Sequence, residues 1–238
     1  MRKKSSLLTV ISVVCTLILC PLIIYFSREF ISGKSYYLAA VLMIICAVIP
    51  FFVYFEKREI KTAEIVILAI MTALAVASRS VLMFLPQIKP TAAIVIITAC
   101  AFGPNCGFLT GALSMFLSNF IFGQGMFTPF QMLGMGLTGF FAGLIFSKSE
   151  KLRNKYIISI TGGFLTFFVY GICVDISSVL MLTDGFSLKN LLPVFASGLT
   201  FNISHCVTTA IVLFLTAKPM LEKFMRLRIK YGIFEQSP

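Results

Sequence analysis

The sequence predicts an all-α polytopic membrane protein with eight transmembrane helices and both termini cytoplasmic, in which a six-helix core follows two extra leading spans. Three observations predict it. The chain is 58% hydrophobic and 12% charged, with a mean hydropathy of +0.98, outside the range of soluble domains. A helix crossing the hydrocarbon needs about 20 apolar residues, so 238 residues allow eight spans with short loops and leave no room for a soluble domain. Finally, Lys and Arg gather in alternate connections, as the positive-inside rule requires.

That distribution fixes the expected orientation. With the N-terminus inside, the inner segments hold Arg2, Lys3 and Lys4, then Lys57, Arg58 and Lys61, four cations in 148–155 and five in the tail. The outer loops hold only Arg28, Lys34, Lys89 and Lys189. No flipped arrangement satisfies the rule. The net charge of +11 is thus read as membrane topology and not as a nucleic-acid footprint.

The first two spans, 7–26 and 36–55, are apolar all round and read as scaffold. Arg2-Lys3-Lys4 before the first could suggest a signal peptide, but the apolar run is too long and no A-x-A cleavage pattern follows. The charged linker 56–61 completes a leading region, 1–61. The core, 62–217, starts with a span over 62–85 that carries Ala69, Ala73 and Ala77 at i, i+4 and i+8 on one face. Such a small-residue stripe suits close docking of another helix. Arg79 lies near the outer end of that span, where a charge is costly and usually functional.

Pro86 and Pro90 make the next connection rigid. The span over 91–102 is short for a crossing, so it must tilt, thin the bilayer or be shielded by neighbours. Gly103-Pro104-Asn105 turns the chain into spans over 107–122 and 129–146. From Phe102 to Phe146 no residue is charged, while glycine recurs at 103, 107, 111, 123, 125, 134, 136, 139 and 143. Close helix packing around a turn bearing neutral hydrogen-bonding groups is expected. The seventh span starts near Tyr156 and reaches Val174 or beyond, with Asp175 at or near its far end. The eighth covers 191–217 and carries Asn202, Ser204 and His205; a basic tail, 218–238, closes the chain.

Polar groups converge on the outer side: Arg79, Lys89, Asn119, Gln124, Thr128, Gln131, Asp175 and Asn202, with Gln87 beside Lys89. The inner half offers almost nothing comparable, so a solute pocket open outward is favoured over a through-channel. Phe84, Phe116, Phe127, Phe130, Met132 and Met135 are its expected walls. Arg79 and Asp175 are expected to form an ion pair.

Other functions find less support. No G-x-x-x-x-G-K-[ST] phosphate loop occurs, and the seven cysteines lack CxxC spacing, which fits packing residues better than ligands or disulfides. One histidine, no HExxH and no G-x-S-x-G leave an integral membrane enzyme using His205 and Asp175 as an alternative of another class. A passive channel or assembly factor is a further one. No cofactor or metal is expected in this chain.

Three segments resemble the substrate-binding S components of energy-coupling factor (ECF) vitamin transporters: AEIVILAIMTALAVASR (63–79), IKPTAAIVIITACAFGPNCGFLTGALSMFLSNF (88–120) and FGQGMFTPFQMLGMGLTGFFAGL (122–144). The similarity covers about residues 62–217. It implies a micronutrient-binding subunit of a bacterial cell membrane, without its own ATPase site. Ala69, Ala73 and Ala77 match the family's A-x-x-x-A face, which docks on a separate transmembrane coupling subunit; two ATPase subunits use the ATP. The joined FGP, LSNF and GQGxxTPxQM elements resemble a subgroup proposed for cobalamin or cobamide precursors. Riboflavin and queuosine precursors are the alternative ligands.

Overall fold

A computed structural model describes residues 61–85, 88–147, 151–183 and 187–233. The two leading spans and Gln87 lie outside the described residues. Six helices are present: α1 (Thr62–Val81), α2 (Thr91–Phe102), α3 (Pro104–Phe122), α4 (Thr128–Phe146), α5 (Lys155–Leu182) and α6 (Leu188–Tyr231). All except α2 are long and apolar enough to cross a membrane. The multi-pass helical character expected of the core is therefore present.

The bundle is built around α2. Its sequence, TAAIVIITACAF, is apolar on every side, and each of its twelve residues is buried. At about 1.5 Å per residue it reaches only about 18 Å, well short of a hydrocarbon core of about 30 Å. Of the three expected solutions, shielding is present: α1, α3, α4 and α6 pack around it. Apolar clusters extend from two faces of α2, one through Val95 to Phe108, Met115 and Phe130, the other through Ile96 and Ile97 to Phe146, Ile158 and Leu213.

The closest helix pair is α3 with α4, and glycine is the cause. A Cβ on Gly107 would stand 2.7 Å from the carbonyl oxygen of Gly139, inside van der Waals contact, so only glycine permits that approach. Gly103, at φ 99°, serves differently: it supplies the reversal between α2 and α3 that a side chain would strain. Pro104 follows at the first position of α3, where its missing N–H costs nothing. The helix thus starts three residues earlier than the sequence reading placed it.

Helix α5 continues to Leu182 through a π-helical stretch, Thr166–Gly171. The span expected to reach Val174 or beyond thus continues to Leu182, and Asp175, expected at or near its far end, lies two turns before that end. The 44-residue α6 spans about 66 Å. It runs uninterrupted past Ala217, the expected limit of the core, carrying Lys218 to Lys230 on a helical extension that Gly232 terminates in the left-handed conformation.

Three cations finish helices at the end of the bundle where α2 and α4 stop. Arg228 donates to the Ala101 carbonyl at 3.0 Å, Arg153 to those of Phe146 and Ser147 at 3.0 and 2.6 Å, and Lys61 to that of Gly232. Cations are favourable at helix C-termini, where unpaired carbonyls point. The opposite end holds the polar groups of the next section.

Candidate functional site

The site is built from helix ends. Arg79 occupies the last turn of α1, Ser118 and Asn119 the last turn of α3, and Thr128 and Gln131 the first turn of α4. The α3–α4 packing set by glycine brings Asn119 against Thr128 and Gln131. The Arg79 guanidinium then reaches across from α1.

A continuous hydrogen-bond network results. Arg79 Nη1 donates to Asn119 Oδ1 at 2.7 Å and to Ser118 Oγ. Asn119 Nδ2 donates to Gln131 Oε1 at 2.9 Å and to Thr128 Oγ1 at 3.0 Å. Thr128 Oγ1 in turn donates to Gln124 Oε1 at 3.0 Å, and Gln124 Nε2 to the Phe116 carbonyl at 2.9 Å. Asn119 is fully buried, Arg79 and Gln131 partly so, and Gln124 is exposed. The network therefore runs from the bundle interior to its surface.

The aromatic partner is Phe122. Arg79 lies 4.5 Å and Lys89 5.3 Å from its ring centroid, distances at which a cation is attracted to a ring face. Two positive groups thus share one ring. Lys89, in the α1–α2 connection, has its pKa lowered by desolvation and then by the nearby Arg79 charge. Every described hydrogen-bond partner of Arg79 is neutral.

Of the eight expected site residues, six fall in this one region: Arg79, Lys89, Asn119, Gln124, Thr128 and Gln131. Asp175 and Asn202 form a separate pair between α5 and α6, with Asn202 Nδ2 donating to Asp175 Oδ2 at 2.7 Å. The ion pair expected between Arg79 and Asp175 does not form. Helix α1 packs on α2 and α3, whereas the Asp175 segment packs on α4 and α6, and each side chain is satisfied locally.

His205 is buried beside Phe201 and Tyr170, at ring separations of 4.4 and 5.7 Å. Its Nδ1 has no partner in the described structure, and the Asp175 carboxylate is bonded to Asn202.

The expected aromatic walls need revision. Phe130, Met132 and Met135 are core residues, while Phe84 and Phe116 are exposed. Phe116 meets the network through its backbone carbonyl, which accepts from Gln124 Nε2. The sequence reading missed Ser118 and Phe122. Both had a usable signal, since Ser118 precedes Asn119 on the last turn and Phe122 precedes the Gly123 break.

Ala69, Ala73 and Ala77 lie on the exposed face of α1, with Val66, Ile70 and Leu74 beside them. Among the described residues no group of three or more His, Cys, Asp or Glu could hold a metal ion.

A family model described as "ECF-type riboflavin transporter, S component" matches residues 59–221. No curated protein and no solved structure matches the chain.

Proposed function

The chain belongs to the ECF-type riboflavin transporter S component family, and on that premise we propose that it captures a vitamin-class heterocycle at the Arg79–Asn119 network. Members of this family are substrate-binding membrane subunits, not enzymes. The network is the observation that carries the reading. Its single fixed cation is hydrogen-bonded only to neutral groups, and a second cation shares the Phe122 ring. A buried charge favours a counterpart rich in acceptor atoms. Carbonyl oxygens and ring nitrogens of a conjugated heterocycle meet that need, and its flat face suits Phe122.

Riboflavin is the first ligand to test, because the family description names it. Cobalamin and cobamide precursors, expected from the resemblance of the GQGMFTPFQM turn, find no support in the family match and enter the test as competing ligands. The positive-inside count orients the network outward, where it would meet solute arriving from outside. The exposed alanine face of α1 is the proposed docking surface for the transmembrane coupling subunit, which with two ATPases would drive release inside.

Equilibrium binding of riboflavin, cobalamin, cobinamide and dimethylbenzimidazole to the purified full chain tests this. Tight binding of one, weakened at least tenfold by Gln131→Ala, is the expected result. Binding that Gln131→Ala and Arg79→Met both leave intact would move the site elsewhere in the bundle.

A further inference from the structure

The end of the bundle opposite the network carries a second feature. On α6 no Lys, Arg, Asp or Glu occurs from Asn190 to Ala217, and the run ends at Lys218; on α5 the apolar run begins directly after Lys155. Lys155 and Lys218 therefore mark the same level, the edge of the hydrocarbon. Between the start of α5 and the extension of α6 lies a groove of about 750 Å³. Its cations are Arg153, Lys155, Lys218 and Arg226, its one carboxylate is Glu222, and Tyr156 and Met225 supply apolar wall.

The residues are arranged by membrane depth. Lys155 Nζ sits 4.5 Å from the Phe214 ring centroid, and Tyr156 packs on Phe214 at 5.5 Å. Aromatic side chains of this kind mark the headgroup level. Toward the bilayer interior the same two helices expose Ile160, Phe164, Ile211 and Leu215. Away from it, Lys218 and Arg226 stand two turns apart on one exposed face of α6. Arg153 is committed to the α4 carbonyls and Lys155 to the Phe214 ring, which leaves Lys218 and Arg226 as the exposed cations that can turn to a ligand.

We propose that this groove binds the phosphate-bearing headgroup of an anionic phospholipid, with its acyl chains along the exposed apolar faces of α5 and α6. Charge complementarity supplies the headgroup site, since four cations surround one carboxylate. The position at the hydrocarbon edge supplies the acyl path, which a soluble anion would not use. Basic pockets between transmembrane helices at the inner face take such headgroups, and the charge distribution puts this end inside. The site is independent of the vitamin-binding reading, and its occupancy is measurable without any substrate.

Native mass spectrometry of the full chain from neutral detergent, with phosphatidylglycerol or phosphatidylcholine added, tests the proposal. Selective retention of phosphatidylglycerol is expected. The double variant Lys218→Gln, Arg226→Gln should weaken it roughly thirty-fold, about five-fold per cation removed. Both side chains are exposed, and an unchanged melting temperature would confirm the fold. A control, Lys223→Gln with Lys230→Gln, removes equal charge outside the groove and should change retention little. Equal retention of both lipids, or equal loss in the two double variants, would overturn the proposal. So would displacement by millimolar inorganic phosphate, which would mark a free-anion site, or retention only of an acidic peptide.

Discussion

Arg79 and Asn119, forty residues apart in sequence, meet at 2.7 Å between the ends of α1 and α3. Asn119 is the hub: its carbonyl receives the cation while its amide serves Thr128 and Gln131. Removing it takes one hydrogen-bond partner from each of Arg79, Thr128 and Gln131. Asn119→Ala is therefore expected to cost about 1–3 kcal/mol of stability, together with ligand affinity. Thermal unfolding in detergent and equilibrium binding measure the two losses separately.

Arg79→Met separates the same two quantities. Taking a partly buried cation out of the bundle relieves its desolvation, which offsets part of the cost of leaving the buried Asn119 Oδ1 without its donor, so the ligand-free protein should lose less stability than with Asn119→Ala. Affinity should nonetheless fall about ten- to a hundred-fold, the range of a hydrogen bond to a charged group. A variant with unchanged affinity would show that Arg79 is structural only.

The α3–α4 contact admits no side chain where Gly107 faces Gly139. Gly139→Ala should lower stability by about 1–3 kcal/mol through overpacking and displace Thr128 and Gln131 from Asn119. Gly123→Ala, placed where nothing lies within 4 Å but φ is +98°, should act through backbone strain alone. Comparing unfolding temperatures of the two variants distinguishes packing from conformation.

Lys89 gives the site a pH dependence with a definite sign. Its pKa is lowered from 10.5 by desolvation and by Arg79. Its charge is thus slightly unfavourable to the fold below that lowered pKa, and the penalty is relieved as pH rises through it. Ligand affinity should move the other way, falling with rising pH before an ordinary lysine would titrate. Lys89→Arg should abolish that fall; an affinity flat across the alkaline range in the parent chain would separate Lys89 from the site.

Ala73→Trp should spare binding and abolish coupled uptake, because Ala73 lies on the exposed face of α1 and touches none of the network. Paired assays of binding by the purified chain and uptake by the assembled transporter check this. Uptake equal to the parent would remove α1 as the docking face.

Much of this was legible in the sequence for identifiable reasons. Hydrocarbon thickness dictates the span lengths, and burial of charge dictates where polar residues stand, so patterning was enough to expect apolar core helices and the gathering of Arg79, Lys89, Asn119, Gln124, Thr128 and Gln131 at one end of the bundle. The Arg79–Asp175 pair was wrongly expected, because opposite charge at one depth says nothing about which helices are neighbours. That adjacency depends on α2 occupying the centre, which its brevity suggested but its composition could not specify. The far end of α5 was left open in the sequence, because apolar residues continue past Asp175 to Leu182, and the π-helical stretch at Thr166–Gly171 leaves no clear trace in a hydrophobic pattern. The extension of α6 was not expected, because the apolar run ends at Ala217 and a basic segment follows, which marks the end of a membrane span but not of a helix.

The wholly enclosed α2 also bears on how the chain is made. Twelve residues give the insertion machinery a weak stop signal, and lipid alone would not hold them across the membrane. Its walls come from helices on both sides in the sequence, the last of which does not begin until Leu188. The bundle therefore cannot assemble strictly in the order of translation: its centre is synthesised early and secured late.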